Sequence, residues 1–499
     1  RFDSLLYPEK LTLQRAAVVG RVFYDRALLM LDAADETHVD DLATVLQNLT
    51  EREFIFPREL SAFEDSAEYI FAQAMMRDLV LETLLERQAA AYHRAAAQWL
   101  AAQGGARVGE YDALIAQHYE QAGDKVPAAE HHYRAAKAAF AVSAVQEGIR
   151  ASEKALALLV EADKPLDHVD LRLDIQLDLA NVLGFLGDYD RAKPLLESAL
   201  AAARGANNRT AEARALAQLG RLVGLWQNQL ELGQAFLEEA LLIYREVDDK
   251  SGLAFVVRQL GNIAFSTGEH KEARSYFEES LALGRALEDD ELMANAFNGF
   301  GLVAFSTDDL EGALSAFQQG LEYAKRSGDK LQQVMLRLNI GLVYAEWGDF
   351  ANVRQIAQEG LAVAQDANSV YLLPGAWIGL GWAALAASEF ETARQYLEMT
   401  LLHFNKVGRD VRIHLTLALY AELQAQLGEV ELPLQWLGFL QTVPDQSGVG
   451  RRLVERTLAK MRADLPPEQI DAALLRGTRL TLEDILREIT ENLGAQAVH

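Results

Sequence analysis

Few residues of this 499-residue chain have the types and spacing that chemistry requires. The one local histidine group is His118, His131 and His132, and two of these imidazoles could meet across a helical hairpin. No carboxylate completes a zinc-binding set at that spacing. We therefore expect these histidines to be solvated or to cap helices. Cysteine is absent, which excludes disulfides, thiolate metal ligands and cysteine nucleophiles.

Common catalytic and nucleotide-binding motifs are also missing from the sequence. It contains neither the Gly-x-x-x-x-Gly-Lys-Ser/Thr loop that cradles phosphates, nor Gly-x-Ser-x-Gly, nor His-Glu-x-x-His. Gly448-Val-Gly450 lacks the third glycine and the preceding strand of a dinucleotide-binding loop, and it predicts a linker. We therefore predict a protein that is not an enzyme and that has no catalytic residue, cofactor or metal ion.

Clusters of acidic residues offer a second kind of candidate site. Asp248-Asp249, Asp308-Asp309 and the stretch 288–291 could be taken for calcium or acid–base sites. They fall in predicted turns between helices, where an aspartate side chain accepts a hydrogen bond from the first free N–H groups of the next helix. The pattern predicts helix caps.

Composition narrows the function classes further. Half of the residues are apolar, which argues against a disordered or fibrous protein, and the mean hydropathy of −0.04 argues against a polytopic membrane protein. The 47 Lys and Arg against 73 Asp and Glu leave a net charge of −26, which disfavours binding to nucleic acid or anionic lipid. No basic-then-apolar leader follows Arg1, so we expect a cytoplasmic protein and a piece of a larger one.

One uncharged stretch, residues 367–388, could be read as a membrane span. Pro374 and Gly375 interrupt it, and alanine and glycine dilute its hydrophobicity. It also keeps phase with an internal repeat. We predict a buried repeat helix there and no membrane association.

That repeat, with a period of about 40 residues, is the dominant pattern of the chain. A large apolar residue followed by Gly recurs at intervals of 41, 40, 40 and 40 residues: Leu219-Gly220, Leu260-Gly261, Phe300-Gly301, Ile340-Gly341 and Leu380-Gly381. Twelve residues after three of these glycines comes a small residue, followed four later by a large apolar one: Ala273 and Phe277, Ala313 and Phe317, Ala393 and Leu397. Val353 departs from this pattern, being larger than its counterparts.

Such spacing predicts two antiparallel helices per repeat. Gly or Ala at the crossing lets the two backbones approach, and the Phe or Leu of the second helix fills the space beside them. One helix pair cannot bury its apolar stripe alone, so neighbours must stack into a solenoid. We predict about eight pairs between residues 110 and 440, followed by a helical cap at 441–499.

The repeat resembles the tetratricopeptide repeat (TPR), whose signature is Leu-Gly, then Tyr or Ala, then Ala and Phe. The period of 40 instead of 34 implies longer helices and turns. The resemblance implies an all-α TPR superhelix, an α-solenoid whose usual role is to bind protein or peptide partners.

Residues 1–105 lack the period and predict a different domain. Their pattern indicates three short helices at 11–20, 26–34 and 39–50, and then two short strands at 54–57 and 69–71 around an acidic turn. A long linking helix follows at 75–102. Three helices followed by a two-stranded ribbon is the order of a winged helix.

Both ends of the chain resemble bacterial STAND regulators, the signalling ATPases associated with adenylate cyclases, protein kinases and LuxR-type activators. Ala16-Ala-Val-Val-Gly-Arg-Val-Phe23 resembles the winged helix that follows the ATPase core there. The segment from Tyr69-Ile-Phe71 to Tyr92-His93 resembles a second signature of the group, although Ala72-Gln73 stands where that signature has His. Residues 474–486 resemble its C-terminal ending. The resemblance implies a sensor region whose ATPase core would precede Arg1.

The concave groove of a TPR array is lined by the first helix of each pair. Positions near the Leu-Gly pair therefore identify candidate partner-binding residues: Arg214, Arg221, Arg258, Asn262, Asn295, Asn298 and Asn339. Arginine and asparagine on one face of an acidic protein would form a patch of hydrogen-bond donors. That patch suits a peptide backbone, a carboxylate or a phosphate. Ordinary solvated residues on one helix face would give the same pattern.

Three functions remain open on the sequence alone. The first is a non-catalytic sensor that binds a protein, peptide or effector in the groove and controls an N-terminal ATPase and output domain. The second is a stand-alone TPR scaffold or peptide-pheromone receptor. The third is a transcription regulator that uses the winged helix on DNA. Residues 1–105 carry 10 Lys and Arg against 17 Asp and Glu, which disfavours the third.

Overall fold

The computed structural model describes residues 2–34, 37–103, 108–142, 144–162, 165–367, 369–407, 412–443 and 448–496. The chain divides into two compact units, residues 1–179 and 180–499. Within the described ranges it forms 25 α-helices and three short strands. The predicted all-α solenoid class is confirmed, and the strands are confined to one small sheet.

The first unit holds the sheet and the first helices. Its elements run α1 (Tyr7–Val19), β1 (Val22–Tyr24), α2 (Asp25–Asp32), α3 (Leu42–Glu51), β2 (Ile55–Pro57), β3 (Glu68–Phe71), α4 (Ala74–Leu81), α5 (Glu86–Gln103), α6 (Val108–Gln121), α7 (Lys125–Ala141) and α8 (Val145–Val160). Helix α9 (Val169–Phe185) begins in this unit and ends in the second.

The three strands form one antiparallel sheet with β3 in the centre. Phe23 pairs with Tyr69 across β1 and β3, and Phe56 pairs with Ile70 across β2 and β3. Phe23 and Phe71 are fully buried beside the leucines of α1–α3, so the sheet and the helices share one hydrophobic core. The first 71 residues therefore run helix, strand, helix, helix, strand and strand, and all these elements pack around one core.

Two features of this unit differ from the sequence prediction. Strand β1 was not predicted, because three residues give too short a pattern. Its partner strand also lies far along the chain, since Phe23 pairs with Tyr69, 46 residues later. Residues 75–102, predicted as one helix, form α4 and α5 instead. The chain turns between them at Thr83, whose hydroxyl donates to the carbonyl oxygen of Val80 at 2.7 Å and so competes with continued helix formation.

The second unit is a series of helices joined by short turns. They are α10 (Tyr189–Gly205), α11 (Arg209–Gly220), a π-helical segment (Arg221–Trp226), α12 (Leu230–Glu246), α13 (Lys250–Ser266), α14 (His270–Leu287), α15 (Asp290–Ser306), α16 (Leu310–Ser327), α17 (Lys330–Glu346), α18 (Phe350–Asp366), α19 (Leu373–Ala386), α20 (Phe390–Val407), α21 (Arg412–Gln426), α22 (Glu431–Leu440), α23 (Val449–Asp464), α24 (Pro467–Gly477) and α25 (Leu482–Gln496). Each of the pairs α11–α12 to α21–α22 packs as a hairpin against the next one.

The crossing within each hairpin is as close as the sequence predicted. A Cβ atom added to Gly301 would lie 2.3 Å from Cε1 of Phe317, and one added to Gly261 would lie 2.7 Å from Cε1 of Phe277. Both phenylalanines are about 1% exposed. Any side chain on the first helix at this position would collide with the ring that fills the crossing.

One hairpin breaks this packing rule. At Gly341 an added Cβ would meet only Cγ2 of Ile356, at 3.5 Å, because Ala357 stands where the other repeats place Phe or Leu. Val353 is correspondingly larger than its counterparts but does not fill the gap. A small cavity of about 10 Å³ remains between α17, α18 and α19.

The acidic pairs between helices act as caps, as predicted. Asp249, Asp289 and Asp309 each accept a hydrogen bond at 2.9–3.0 Å from the backbone N–H three residues further on. The residue before each cap lies in the left-handed backbone region, with φ between 52° and 64° (Asp248, Glu288 and Asp308). The first residue of each pair thus turns the chain and the second starts the next helix.

The uncharged stretch at 367–388 is part of the array, as predicted. It contributes α19, a helix of 14 residues whose Ile378 and Trp382 are buried between α17, α18 and α20. None of the described helices combines the length and hydrophobicity needed to span a bilayer.

Candidate partner-binding groove

The candidate site is the face of the second unit formed by the first helices of successive hairpins. Helices α11, α13, α15, α17, α19 and α21 each pack against the next one in this series. Successive second helices are joined instead by ion pairs between long side chains, such as Arg204–Glu239 at 2.5 Å and Arg245–Glu279 at 3.4 Å. Since the first helices also pack against one another, we assign the concave side of the array to them. We call the surface of α11, α13, α15 and α17, with the π-helical segment, the groove.

All seven residues predicted to bind a partner lie on these helices. Arg214 is on α11, Arg221 opens the π-helical segment, Arg258 and Asn262 are on α13, Asn295 and Asn298 are on α15, and Asn339 is on α17. Six are partly buried and Asn339 is only 7% exposed. The structure brings several of them together in small groups.

Side-chain amides connect neighbouring hairpins. Nδ2 of Asn339 donates to Oδ1 of Asn298 at 2.8 Å, from α17 to α15. In the same way Nε2 of Gln332 donates to Oδ1 of Asn295 at 3.1 Å, while Nδ2 of Asn295 donates to the carbonyl oxygen of Glu291 at 2.9 Å. These two rungs form a ladder of carboxamides across two repeats. Each carboxamide can bond to more than one partner, so the ladder can also pair with a peptide backbone.

Two arginines share one aromatic ring at the other end of the groove. The guanidinium carbons of Arg221 and Arg258 lie 5.4 Å and 5.5 Å from the ring centre of Phe255, within the range of cation–π attraction. Arg221 also donates from Nη2 to Oδ1 of Asn181, one repeat earlier. Beside them, Nδ2 of Asn262 donates to Oε1 of Gln259 at 3.4 Å. Arg214 belongs to neither of these groups.

The surroundings lower the pKa of both arginines. Burial, together with the like charge of Arg258, lowers the pKa of Arg221 to about 10. Burial also lowers the pKa of Arg258, while the carboxylates of Glu291 and Asp329 oppose that shift. Arg221 therefore remains protonated at neutral pH. The groove therefore concentrates positive charge on a chain that is strongly negative overall.

The structure adds residues to the predicted set. Phe255, Gln259 and Gln332 take part in the groups just described but were not among the seven. A signal for one of them exists in the sequence: the position two residues before the repeat glycine carries an amide in three hairpins, as Gln218, Gln259 and Asn339. Aligning the repeats column by column would have shown this recurrence.

The three histidines considered as metal ligands are largely buried and paired with other side chains, so the expectation that they are solvated or cap helices is wrong. His131 contacts Oδ1 of Asp112 at 2.7 Å, and His132 contacts Oε1 of Glu120 at 2.5 Å. His118 instead meets His93, with their Nδ1 atoms 2.9 Å apart. In the part of the chain that the structure describes, no three His, Asp or Glu side chains converge on a point that could hold a metal ion.

Comparison with known proteins supports the repeat assignment. Residues 173–205 and 223–286 match family descriptions of the tetratricopeptide repeat. No curated protein matches the sequence.

Several solved structures align with this chain at low sequence identity. A Signal Transduction ATPase with Numerous Domains (STAND) protein with a tetratricopeptide repeat sensor, from Pyrococcus horikoshii, aligns at 14% identity and a TM-score of 0.43. The alignment covers 98% of this chain and 66% of that one, so this chain spans less than two thirds of the STAND protein.

Two further structures are the Rap protein complexed with Competence and Sporulation Factor and the apo form of the quorum sensor NprR from B. thuringiensis. The Rap protein aligns at 14% identity and a TM-score of 0.46, over 67% of this chain and 91% of that one. NprR aligns at 14% identity and a TM-score of 0.44, over 75% of this chain and 97% of that one. The sequence matches identify the two segments of this chain as tetratricopeptide repeats, set within an α-helical solenoid.

Proposed function

We propose that this chain is a non-catalytic sensor module of a bacterial STAND-type signalling protein. In this proposal the groove binds a partner protein, a peptide or another effector. Binding then changes how the repeat array acts on an N-terminal ATPase and its output domain. A ligand can shift such an equilibrium only if it binds one state of the array more tightly than the other.

The observation that carries the proposal is the row of polar side chains along the groove. The rungs Asn298–Asn339 and Asn295–Gln332 both join α15 to α17, and Arg258 lies on the neighbouring first helix, α13. Amides spaced along a concave surface suit an extended peptide, whose backbone offers a donor and an acceptor at every residue. The array presents these groups on helices, which hold them more rigidly than loops would.

A binding measurement with matched variants tests this proposal. The variant with both Asn298→Leu and Asn339→Leu removes one rung. The control with both Gln318→Leu and Gln355→Leu also replaces two carboxamides by leucine, on exposed second-helix positions of the same two hairpins. The probe is a synthetic random octapeptide library, and retention on the immobilised chain is read by mass spectrometry.

We expect the groove variant to lose about tenfold in affinity, since each lost hydrogen bond contributes about 1 kcal/mol or less. The control should bind like the parent chain. Equal loss in both variants, or no retained peptide at all, would contradict peptide binding in the groove. The purified chain should also hydrolyse no nucleotide.

In this proposal the first unit has a structural role. Its helix and strand order, with a sheet ordered β1-β3-β2, supports our assignment of this region as a winged helix. The third helix, which would enter the DNA groove in that fold, is α3, and its sequence Leu42–Glu51 contains no Lys or Arg. We therefore propose a hinge or autoinhibitory role for this domain and not DNA binding. Salt-sensitive binding of the chain to duplex DNA would reverse that assignment.

A stand-alone peptide receptor is the second candidate, because the same groove would serve it equally well. The two differ in what the occupied groove controls. Addition of a separately purified STAND ATPase core from the same genome should give peptide-dependent ATP hydrolysis in the first case. No change in hydrolysis, with peptide binding intact, would favour the second.

A further inference from the structure

Helix α23 lies against the first helices of the last hairpins, and its basic side chains hold it there. Nε of Arg452 donates to Oε1 of Glu346, the last residue of α17, at 3.0 Å. The guanidinium carbon of Arg452 also lies 5.2 Å from the ring centre of Phe305 on α15. Further along α23, Nζ of Lys460 donates to Oε1 of Glu422 on α21 at 2.9 Å. A short stretch of α23 thus connects three first helices.

The acceptor on α21 occupies a groove position. Glu422 directly follows Ala421, a later copy of the small residue of the repeat, and so takes the position that Asn262 holds on α13. Glu422 is 4% exposed and accepts hydrogen bonds from two cations of α23, Nη2 of Arg456 at 3.2 Å and Nζ of Lys460. A carboxylate can be buried in this way only with such donors beside it. Helix α23 therefore covers on α21 the surface that corresponds to the groove of the earlier hairpins.

The apolar side of α23 completes the contact. Five of its residues are at most 8% exposed and belong to the core shared with α17, α19 and α21: Val449, Leu453, Val454, Leu458 and Met461. Along one edge of this side the basic residues recur every fourth position, at 452, 456 and 460. Helix α23 carries five Lys and Arg against two acidic residues, whereas the whole chain has a net charge of −26. It is thus a basic amphipathic helix seated on an acidic array.

The sequence of α23 favours the helix weakly at its start. Its N-cap residue is Gly448, which has no side chain to accept a hydrogen bond from the first N–H groups. The first turn contains Gly450, a poor helix former, and the arginines Arg451 and Arg452, where the helix dipole favours acidic side chains. Helices of this length are marginal in water without tertiary packing. The helicity of α23 therefore depends on its docking.

We infer that the surface beneath α23 is a second binding site of the array, and that its ligand is a basic amphipathic helix of a partner protein. Such a helix carries basic residues at positions i, i+4 and i+8 beside an apolar stripe, as Arg452, Arg456 and Lys460 do on α23. Helix α23 is then the resident competitor, which fills the site until a partner helix with better contacts displaces it. The departing helix exposes Glu346 and Glu422 to water or to the partner, so neither carboxylate is left buried and unpaired.

This site is separate from the peptide groove proposed above and does not depend on it. It lies at the C-terminal ends of α15 and α17 and on α21, whereas the amide rungs Asn298–Asn339 and Asn295–Gln332 lie nearer the middle of α15 and α17. A second copy of the chain could offer only the same helix with the same contacts. It would gain nothing over the tethered α23, whose effective concentration at the site is on the order of millimolar. A different protein with a better-matched helix is the occupant that can compete.

A synthetic copy of α23 measures access to the site. The probe is a fluorescent peptide of residues 448–464, whose binding to the full chain is followed by fluorescence anisotropy. A second peptide carries Arg452→Glu, Arg456→Glu and Lys460→Glu, which keeps the apolar stripe and reverses the basic edge. The two peptides separate charge recognition from simple apolar attraction.

Three variants of the chain are compared with the parent. The first has Leu453→Asp and Leu458→Asp, which undock the resident helix and leave the receiving surface unchanged. The control has Ala459→Asp and Ala463→Asp, which add the same two charges on the exposed side of α23. The third has glutamine in place of Arg456 and Lys460, which removes both donors to Glu422 without placing a charge in the core.

We expect the leucine variant to bind the probe about tenfold or more tightly than the parent, because the tethered competitor is gone. The glutamine variant should bind it about threefold more tightly, and the control should match the parent. The charge-reversed peptide should bind the leucine variant about tenfold or more weakly than the probe, since it cannot pair with Glu346 and Glu422. Hydrogen exchange of the leucine variant should accelerate in α23 while α15–α21 stay protected.

Other results overturn the inference. Equal binding of the probe to the parent and to the leucine and glutamine variants would show that α23 does not block a site, and equal binding of the two peptides would remove the charge recognition. If exchange accelerates throughout α15–α21 of the leucine variant, the glutamine variant decides alone. Sedimentation of the parent as a dimer that dissociates in the glutamine variant would assign the occupant to a second copy. None of these results bears on peptide binding at the amide rungs, which is tested separately.

Discussion

Adding one methyl group at two equivalent positions should change stability in opposite directions. Gly301→Ala and Gly341→Ala make the same substitution at the same point of two adjacent hairpins. Replacing a helical glycine by alanine stabilises a helix by about 1 kcal/mol. What differs between the two sites is the space that the new methyl group enters.

The structure supplies the magnitudes. At Gly341 the nearest atom would be Cγ2 of Ile356 at 3.5 Å, an ordinary contact, so the full gain of about 1 kcal/mol is expected. At Gly301 the methyl group would lie 2.3 Å from Cε1 and 2.4 Å from Cδ1 of Phe317, whose ring is 1% exposed and cannot move aside. Overpacking of this kind costs about 1–3 kcal/mol, which outweighs the gain in helix propensity.

Hydrogen exchange is the appropriate assay, because repeat arrays do not unfold as one cooperative unit. Exchange should slow in α17 and α18 of Gly341→Ala and accelerate in α15 and α16 of Gly301→Ala. The double variant with Gly301→Ala and Phe317→Leu provides the control, since the smaller side chain should relieve the collision and recover part of the loss. Equal effects at the two glycines, or no rescue by Phe317→Leu, would refute the packing argument.

Three further results are expected from the packing, caps and buried histidines. Ala357→Leu should destabilise α17–α19 by about 1–3 kcal/mol in chemical denaturation, because the cavity of about 10 Å³ beside it is too small for the larger side chain; unchanged or increased stability would show that the helices can move apart to accept it. Asp329→Ala should cost about 1 kcal/mol and speed exchange at the start of α17, because Oδ1 accepts the N–H of Gln332 at 2.9 Å; unchanged exchange would contradict the cap. Burial lowers the pKa of both His93 and His118 to about 4, so the folded state keeps them neutral while the unfolded state binds protons below about pH 6.5. Stability of the first unit should therefore fall as the pH drops from 6.5 towards 4. Thermal unfolding should show a smaller fall in His118→Gln. An equal fall in the parent chain and the variant would assign the loss of stability to other groups.

The repeat region was predictable because its signals are local and recur. Each Leu-Gly pair indicates a helix crossing, and each acidic pair indicates a turn followed by a helix cap. Because the repeat occurs in five copies, all of them predict the same fold. Asp249 and Asp289 could be placed at helix starts from their spacing alone, and the structure confirms both caps. The class of fold follows from this repetition.

Features that depend on distant residues were not predictable in the same way. Strand β1 is defined by pairing with β3, far along the chain. The shared ring of Phe255 between Arg221 and Arg258 depends on how two hairpins stack, which no single-repeat pattern contains. The groove could nevertheless be anticipated in part, because all seven residues predicted for it lie on first helices or on the π-helical segment.

The additional residue between Gly220 and Gly261 has an implication for how such proteins change. An insertion in a layered structure would ordinarily displace everything that follows it by one position. Here a single widened turn absorbs it, and a Cβ added to Gly233 would still lie only 2.3 Å from Cα of Gly224. The next hairpins keep their usual interval. Length variation can therefore alter the lining of one segment of the array while the neighbouring segments retain their geometry.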